Sequence, residues 1–344
     1  MDQFLKEIDE CPLIPSPLQR RYRNNILFSI GFNEKDEIEV GQMIKGKKVI
    51  NSRSNELVSE LCIEVCECVK DFITKSKVPI VRYPELEGCW RHIHIKENFE
   101  NQYIVNFRLQ NYTKYQPEIE LELNELVKYL QENLDAEILG LYYQVSNELR
   151  EPTPADKLNI IYKKGDLIKV MLGKKFILHP LTFFQVNFGA AEKMYYELDK
   201  MIKKNISSNP NKKYVLYDMC CGVGVYSILF SKYFDECIGV DCNSNNINIA
   251  NKIKSINNTT NVKFYEGKIE NIMKKLVEND DREKIFIINP ARSGIPDSII
   301  DFMNNMGSNI KVKIILCSIK SFIYHFYKLH FKIFIKFKIQ MFPL

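Results

Sequence analysis

A parallel α/β domain preceded by a smaller α+β domain is what the sequence predicts, and three observations predict it. At 344 residues the chain is longer than one compact domain usually needs. Beyond about residue 180, short apolar strands alternate with helix-length segments, the pattern of a parallel sheet covered by helices on both faces. The charge is divided too. Residues 1–150 hold 19 basic and 25 acidic side chains against 29 and 18 in 151–344, so the second part has the basic balance expected where a polyanion is handled. With 45% hydrophobic and 26% charged residues the composition is globular, which excludes a disordered or fibrous chain.

In chain order, residues 1–20 read as an extended leader, with Pro12, Pro15 and Pro17. Residues 21–176 form the α+β domain: strands at 25–31, 47–51, 92–96, 103–109, 139–146 and 158–161, with helices at 56–75 and 118–134. Residues 177–344 form the α/β domain. Its strands are expected at 215–219, 236–241, 262–267, 284–290 and 313–318, its helices at 226–233, 245–256, 269–277 and 297–306, and a last strand at 331–342.

Ten cysteines are too sparse for a disulfide framework, and the start MDQFLKEIDE has neither the basic nor the apolar region of a signal peptide. No run of 18 apolar residues occurs. The expectation is an intracellular protein, cytoplasmic or nuclear, without a membrane span. Cys62, Cys66 and Cys68 sit inside an expected helix that turns the third away from the other two, and His92 and His94 share one strand face without a further ligand, so no metal site is expected.

The chemistry-bearing residues concentrate after residue 180. The strand 215–219 runs into Cys220-Cys221-Gly222-Val223-Gly224, and Asp241 closes the next strand 19 residues after Gly222. Glycines there let a ligand approach the backbone, and an acid at that spacing reaches ribose hydroxyls. The third glycine of a dinucleotide turn is absent, and no phosphate-cradling Lys-Ser/Thr follows, so S-adenosylmethionine fits better than a dinucleotide. Asn289-Pro290-Ala291-Arg292 ends another strand at the same sheet edge. Lys311, Lys313, Lys320, Lys328, Lys332, Lys336 and Lys338 lie in 34 positions without an acid, either an RNA-facing edge or a lysine-protected edge strand.

Taken in order, Phe183-Phe184-Gln185-Val186-Asn187, the 218–224 stretch Asp-Met-Cys-Cys-Gly-Val-Gly, Gly239-Val240-Asp241, Asn289-Pro290-Ala291-Arg292-Ser293-Gly294 and Leu316-Cys317 resemble the RNA uracil-5-methyltransferase family. Cys11-Pro12, Ser16-Pro17, Tyr22-Arg23-Asn24 and Gly88-Cys89-Trp90-Arg91 resemble its eukaryotic tRNA-modifying branch. The resemblance implies a Rossmann-like class I methyltransferase domain that uses S-adenosylmethionine, with RNA as partner (tRNA rather than rRNA), acting as a monomer. Gln185 would contact the methionine part of the cofactor, Cys220 would flank the Gly222 and Gly224 turn, and Asp241 would hold the ribose. Asn289 stands where the family has an acid, Arg292 matches its arginine, and Cys317 would be the nucleophile, although Ser318-Ile319 replaces the usual Asn-Pro after it.

Chemistry explains the cysteine. C5 of uracil is too weak a nucleophile to take a methyl group, and thiolate addition at C6 makes it an enolate carbon. A lowered thiol pKa is then required, for which Arg292 is a candidate cation. In the family a Thr-x-His-x-Glu stretch supplies a base, followed by a final strand; the expectation is that both are missing from this chain. The alternatives are a catalytically impaired relative that binds RNA or cofactor only, or a Rossmann-like methyltransferase for another substrate with a structural Cys317.

Overall fold

The structure is a computed structural model that describes residues 13–44, 47–83, 85–146, 157–278, 280–289, 297–305, 310–312 and 338–339. Contacts divide the chain into two compact units. One gathers Ser16–Lys169 and Ile177–Gly189; the other gathers Val170–Phe176 and the described parts of Met1–Pro15 and Ala190–Met341.

The first unit is built on a seven-stranded sheet. Its strands are β1 (Asn25–Phe32), β2 (Ile38–Met43), β3 (Val49–Asn51), β4 (Trp90–Glu97), β5 (Gln102–Leu109), β6 (Glu137–Val145) and β7 (Asn159–Lys163), in the order β3-β2-β1-β4-β5-β6-β7. All neighbours are antiparallel except β5 and β6, which a helical crossover joins in parallel. That crossover is α2 (Gln116–Asn133), and α1 (Glu60–Ile73) precedes β4. Ser59 caps α1 through its side chain, which accepts from the Cys62 N–H, and Pro117 occupies the first turn of α2.

Alternation along the strands decides which face is covered. Ile26, Phe28 and Ile30 of β1, Ile93 and Ile95 of β4 and Val105 and Phe107 of β5 pack against Ile63, Val69, Leu123, Leu126 and Leu130 of the helices. Burying those side chains, each contributing about 1.5–3 kcal/mol, fixes strand register. Cys62, Cys66 and Cys68 all lie in this core, because α1 is buried against the sheet and α2 together; turning Cys68 away from the first two did not expose it. The opposite sheet face is polar. His94 Nε2 and Asn25 Oδ1 are 2.6 Å apart, and Asn106 Nδ2 donates to Gln144 Oε1 at 3.0 Å.

Strand β2 was not expected, because Glu39, Gly41 and Gln42 hide its alternation. Glu39 is nevertheless buried, receiving Lys70 Nζ and Asn51 Nδ2 at 3.0 Å each. Next come β8 (Ile168–Met171) and β9 (Lys174–Ile177), a ribbon turned by Leu172 and Gly173 at φ 46 and 75. Helix α3 (Phe188–Ser207) follows.

The second unit carries β10 (Tyr214–Met219), α4 (Val225–Phe230), β11 (Glu236–Asp241), α5 (Ser244–Ile256), β12 (Val262–Glu266), α6 (Ile269–Val277), β13 (Glu283–Ile288), α7 (Asp297–Asn305) and β14 (Ile310–Val312). The five strands are all parallel, in the order β12-β11-β10-β13-β14. The fold is therefore the expected α/β class with a Rossmann-like domain. Val215, Tyr217, Val240, Phe286 and Ile288 meet Ile269, Met273 and Ile299 of α6 and α7 on one face. The strand expected at 313–318 lies outside the described residues, where β14 ends at Val312, and that expected at 331–342 is described only as Lys338–Ile339, paired in parallel with Leu13–Ile14. The remainder of the latter lies outside the described residues, as do most of the lysines between 311 and 338.

Candidate functional site

Strand β10 sits at the centre of the parallel sheet, where the strand order reverses, and its C-terminal end is where such sheets take ligands. Its register sets Met219 beside Val240 and Ile288, so the turn after β10, Asp241 at the end of β11 and Asn289 after β13 all reach one sheet edge. Asn289 N–H meets the Met219 carbonyl at 3.5 Å.

The turn itself is left-handed at three positions: Cys220 (φ 58), Gly222 (φ 55) and Gly224 (φ 79). Two of these are glycines, which adopt such angles without strain, while Cys220 bears a cost of order 1–2 kcal/mol. The glycines differ in what surrounds them. A Cβ on Gly222 would meet nothing within 4 Å, whereas a Cβ on Gly224 would stand 2.3 Å from Cζ of Phe264. The expectation was ligand room at both; the structure leaves room at Gly222, and the missing side chain of Gly224 accommodates the Phe264 ring.

Asp241 holds this turn in place. Its Oδ2 accepts the Gly222 N–H at 2.9 Å, and its Oδ1 accepts the Asn243 N–H at 2.9 Å and Asn246 Nδ2 at 3.1 Å. Asn243 in turn caps α5. Beneath the turn lies Asp218, fully buried, whose Oδ2 accepts the Ser227 N–H at 3.0 Å and its Oγ at 2.8 Å. Its Oδ1 has no partner, and burial raises the acid to about 7. Ser227, Phe264, Asn243 and Asn246 were not singled out from sequence; only the capping Asn243 left a signal there, an Asn before a helical run.

The field of the site is negative. Burial, with Asp241, Asp218 and Glu270 nearby, pushes the Cys220 thiol up to about 12, and Cys221 is raised well above its ordinary value. Neither is a thiolate near neutral pH. A negatively charged cradle around an open backbone disfavours a pyrophosphate and suits a cation. Among the described residues no group of three or more His, Cys, Asp or Glu could hold a metal ion, and no helix is long and apolar enough to cross a membrane.

The structure thus brings Cys220, Gly222, Gly224, Asp241 and Asn289 together. Gln185 belongs to the first unit. It is buried there. The segment around it is pinned: the Val186 carbonyl accepts the Asn24 N–H, and Asn187 Nδ2 donates to Ser16 Oγ at 3.0 Å. Phe184 is buried in edge contact with Phe188, while Phe183 is exposed. Arg292 and Cys317 lie outside the described residues. His92 and His94, which share one strand face, are largely enclosed, and burial holds His92 neutral with a pKa of about 3.

Comparison with known proteins places these features. Residues 210–325 match the methyltransferase-domain family. The chain is 26% identical over 311 residues to an uncharacterized RNA methyltransferase of Clostridium tetani, covering 87% of this chain and 63% of that protein. It is 23% identical over 305 residues to human tRNA (uracil-5-)-methyltransferase homolog B, covering 86% of this chain and 59% of that one. The chain therefore spans about three-fifths of the length of these two relatives. Its fold matches Pyrococcus abyssi tRNA (uracil-54, C5)-methyltransferase, solved with S-adenosyl-L-homocysteine, with a TM-score of 0.75 at 20% identity, over 99% of this chain and 78% of that one.

Proposed function

We propose that this relative of the RNA uracil-5-methyltransferases methylates C5 of a uridine in RNA, with tRNA as the substrate, using S-adenosylmethionine. The observation that carries the reading is the open backbone at Gly222, held by Asp241 and set among carboxylates. The residues present fit that cofactor: open space for the ligand at Gly222, acceptor oxygens on Asp241 for ribose hydroxyls, and a negative field for a cation. Bound S-adenosylmethionine supplies a methyl group on a positively charged sulfur. On the family resemblance, Gln185 contacts its methionine part, the Cys220–Gly224 turn lies along it, Asn289 takes the place of an acid that helps position substrate and cofactor, and Arg292 is the candidate cation for the Cys317 thiolate.

The cysteine chemistry follows from uracil itself. The Cys317 thiolate adds to C6, forming a C–S bond and moving the C5–C6 π electrons toward the O4 carbonyl. C5, now nucleophilic, accepts the methyl group; loss of the C5 proton to a base and expulsion of the thiolate restore the ring. The base must reach a flipped-out uridine, a task the first unit shares by holding the RNA around it. The reading includes a monomer acting inside the cell, in cytoplasm or nucleus.

RNA carrying 5-fluorouridine tests it, because fluorine does not leave as a proton does. The wild-type protein with S-adenosylmethionine should give an RNA adduct that survives a denaturing gel, and Cys317→Ala should give none. An adduct in the variant assigns another nucleophile. No adduct in either protein, with RNA or cofactor still bound, favours the binding-only relative, a reading to which the uncharged Asn289 in the family's acidic position lends support.

A further inference from the structure

The first unit contains a cavity of about 330 Å³ on β1 and β2, at the small end of the range of ligand pockets. Arg23, Ser29, Gln42, Asn55 and His92 supply its polar lining, Leu27 and Met43 contribute apolar surface, and no lining residue is acidic. The backbone of Arg23 is fixed on both sides: its N–H donates to the Leu57 carbonyl at 2.8 Å, and its carbonyl accepts the Ser59 N–H at 3.1 Å. Its guanidinium is not so served. Nε is buried without a hydrogen-bond partner, and Arg23 forms no ion pair among the described residues. Neighbouring arginines differ: Arg21 meets Glu60, and Arg53 is held by Glu60 and Glu67.

A buried donor without a partner is a cost that an incoming acceptor recovers, and an unpaired guanidinium matches a phosphate in both charge and geometry. The other polar groups are neutral. Ser29 Oγ lies 3.3 Å from His92 Nδ1, and Asn55 Nδ2 donates to Gln42 Oε1 at 3.4 Å, long contacts that a ligand edge can replace. We propose that this cavity binds one nucleotide of the RNA, with Arg23 on its phosphate, Ser29, Gln42 and Asn55 along the polar edge of its base, and Leu27 and Met43 against the base. The proposal rests on the RNA reading above and adds a site for that RNA separate from the cofactor turn.

The experiment titrates the whole chain with fluorescently labelled bulk tRNA between 50 and 200 mM salt, and separately with uridine 5′-monophosphate. Arg23→Gln should weaken tRNA binding at least tenfold, lower the logarithmic salt slope by about one, and leave the affinity for S-adenosylhomocysteine unchanged. Arg23→Lys should keep the slope. Ser29→Val, which fills the cavity without touching charge, should weaken both ligands at an unchanged slope, and Arg53→Gln should change nothing. Wild-type affinity and slope in folded Arg23→Gln would overturn the pocket alone. Failure of the wild-type chain to bind tRNA would overturn the RNA reading and the occupant with it; uridine monophosphate binding lost in Arg23→Gln would then show the cavity to serve free nucleotides.

Discussion

Alanine at Gly222 and alanine at Gly224 should fail in opposite ways, although the two positions are two residues apart in one turn. At Gly224 (φ 79) the added Cβ meets the Phe264 ring at 2.3 Å, so backbone strain of about 1–2 kcal/mol joins an overpacking cost of about 1–3 kcal/mol. The sum, roughly 2–5 kcal/mol, should lower the melting temperature by about 5–15 °C for a unit of this size. At Gly222 (φ 55) nothing stands within 4 Å, so only the strain remains and the melt falls by a few degrees. The new methyl group, however, points into the space assigned to the cofactor. Calorimetry should show Gly222→Ala losing at least tenfold in affinity for S-adenosylhomocysteine. Equal melting shifts in the two variants would refute the packing role of Phe264, and wild-type affinity in Gly222→Ala would refute the cradle.

Two further perturbations act through buried charge. Asp218, raised to about 7 from 3.8, binds more protons folded than unfolded, so it withdraws stability as pH climbs from about 4 to 7, by up to about 4 kcal/mol. Asp218→Asn should therefore match the wild type near pH 4 and melt higher above pH 7; a pH-independent loss would show that the carboxylate itself is needed. Lys96 is buried in the first unit, donates to the His179 and Thr182 carbonyls at 2.6 and 2.5 Å, and is lowered by burial from 10.5 to about 7. Its burden on the fold is relieved as pH rises from 7 to 10.5, a rise that Lys96→Met should abolish in melts across that range.

Legibility followed burial pattern. In the second unit the strands are apolar runs between polar helices, and 236–241 and 269–277 were placed to the residue because both faces of a parallel strand and one face of its helix are dictated by the same core. In the first unit β2 escaped notice because Glu39 is buried by pairing with Lys70, an arrangement that no count of apolar residues reveals. Helix α3, with 20 residues, was passed over because its first turn follows directly on the 183–187 motif.

The site was half legible for a different reason. A sequence shows which residues carry oxygens and where glycines interrupt side chains, but not which side of the backbone a glycine leaves open. Asp241 was read as a ribose contact from its spacing alone; the structure adds that both its oxygens already hold protein N–H groups, on the turn and on α5. A carboxylate has about four acceptor positions, so three bonds to protein still leave capacity for a ribose hydroxyl. It follows that one residue sets the shape of the cradle and meets its ligand. Asp241→Ala should accordingly loosen the turn as well as lose the hydroxyl contact, and its affinity loss should exceed that of Asp241→Asn, which keeps one acceptor oxygen. If the two variants lost equal affinity, the carboxylate's hold on Gly222 would have no part in binding, and the cradle would owe its shape to the glycine turn alone.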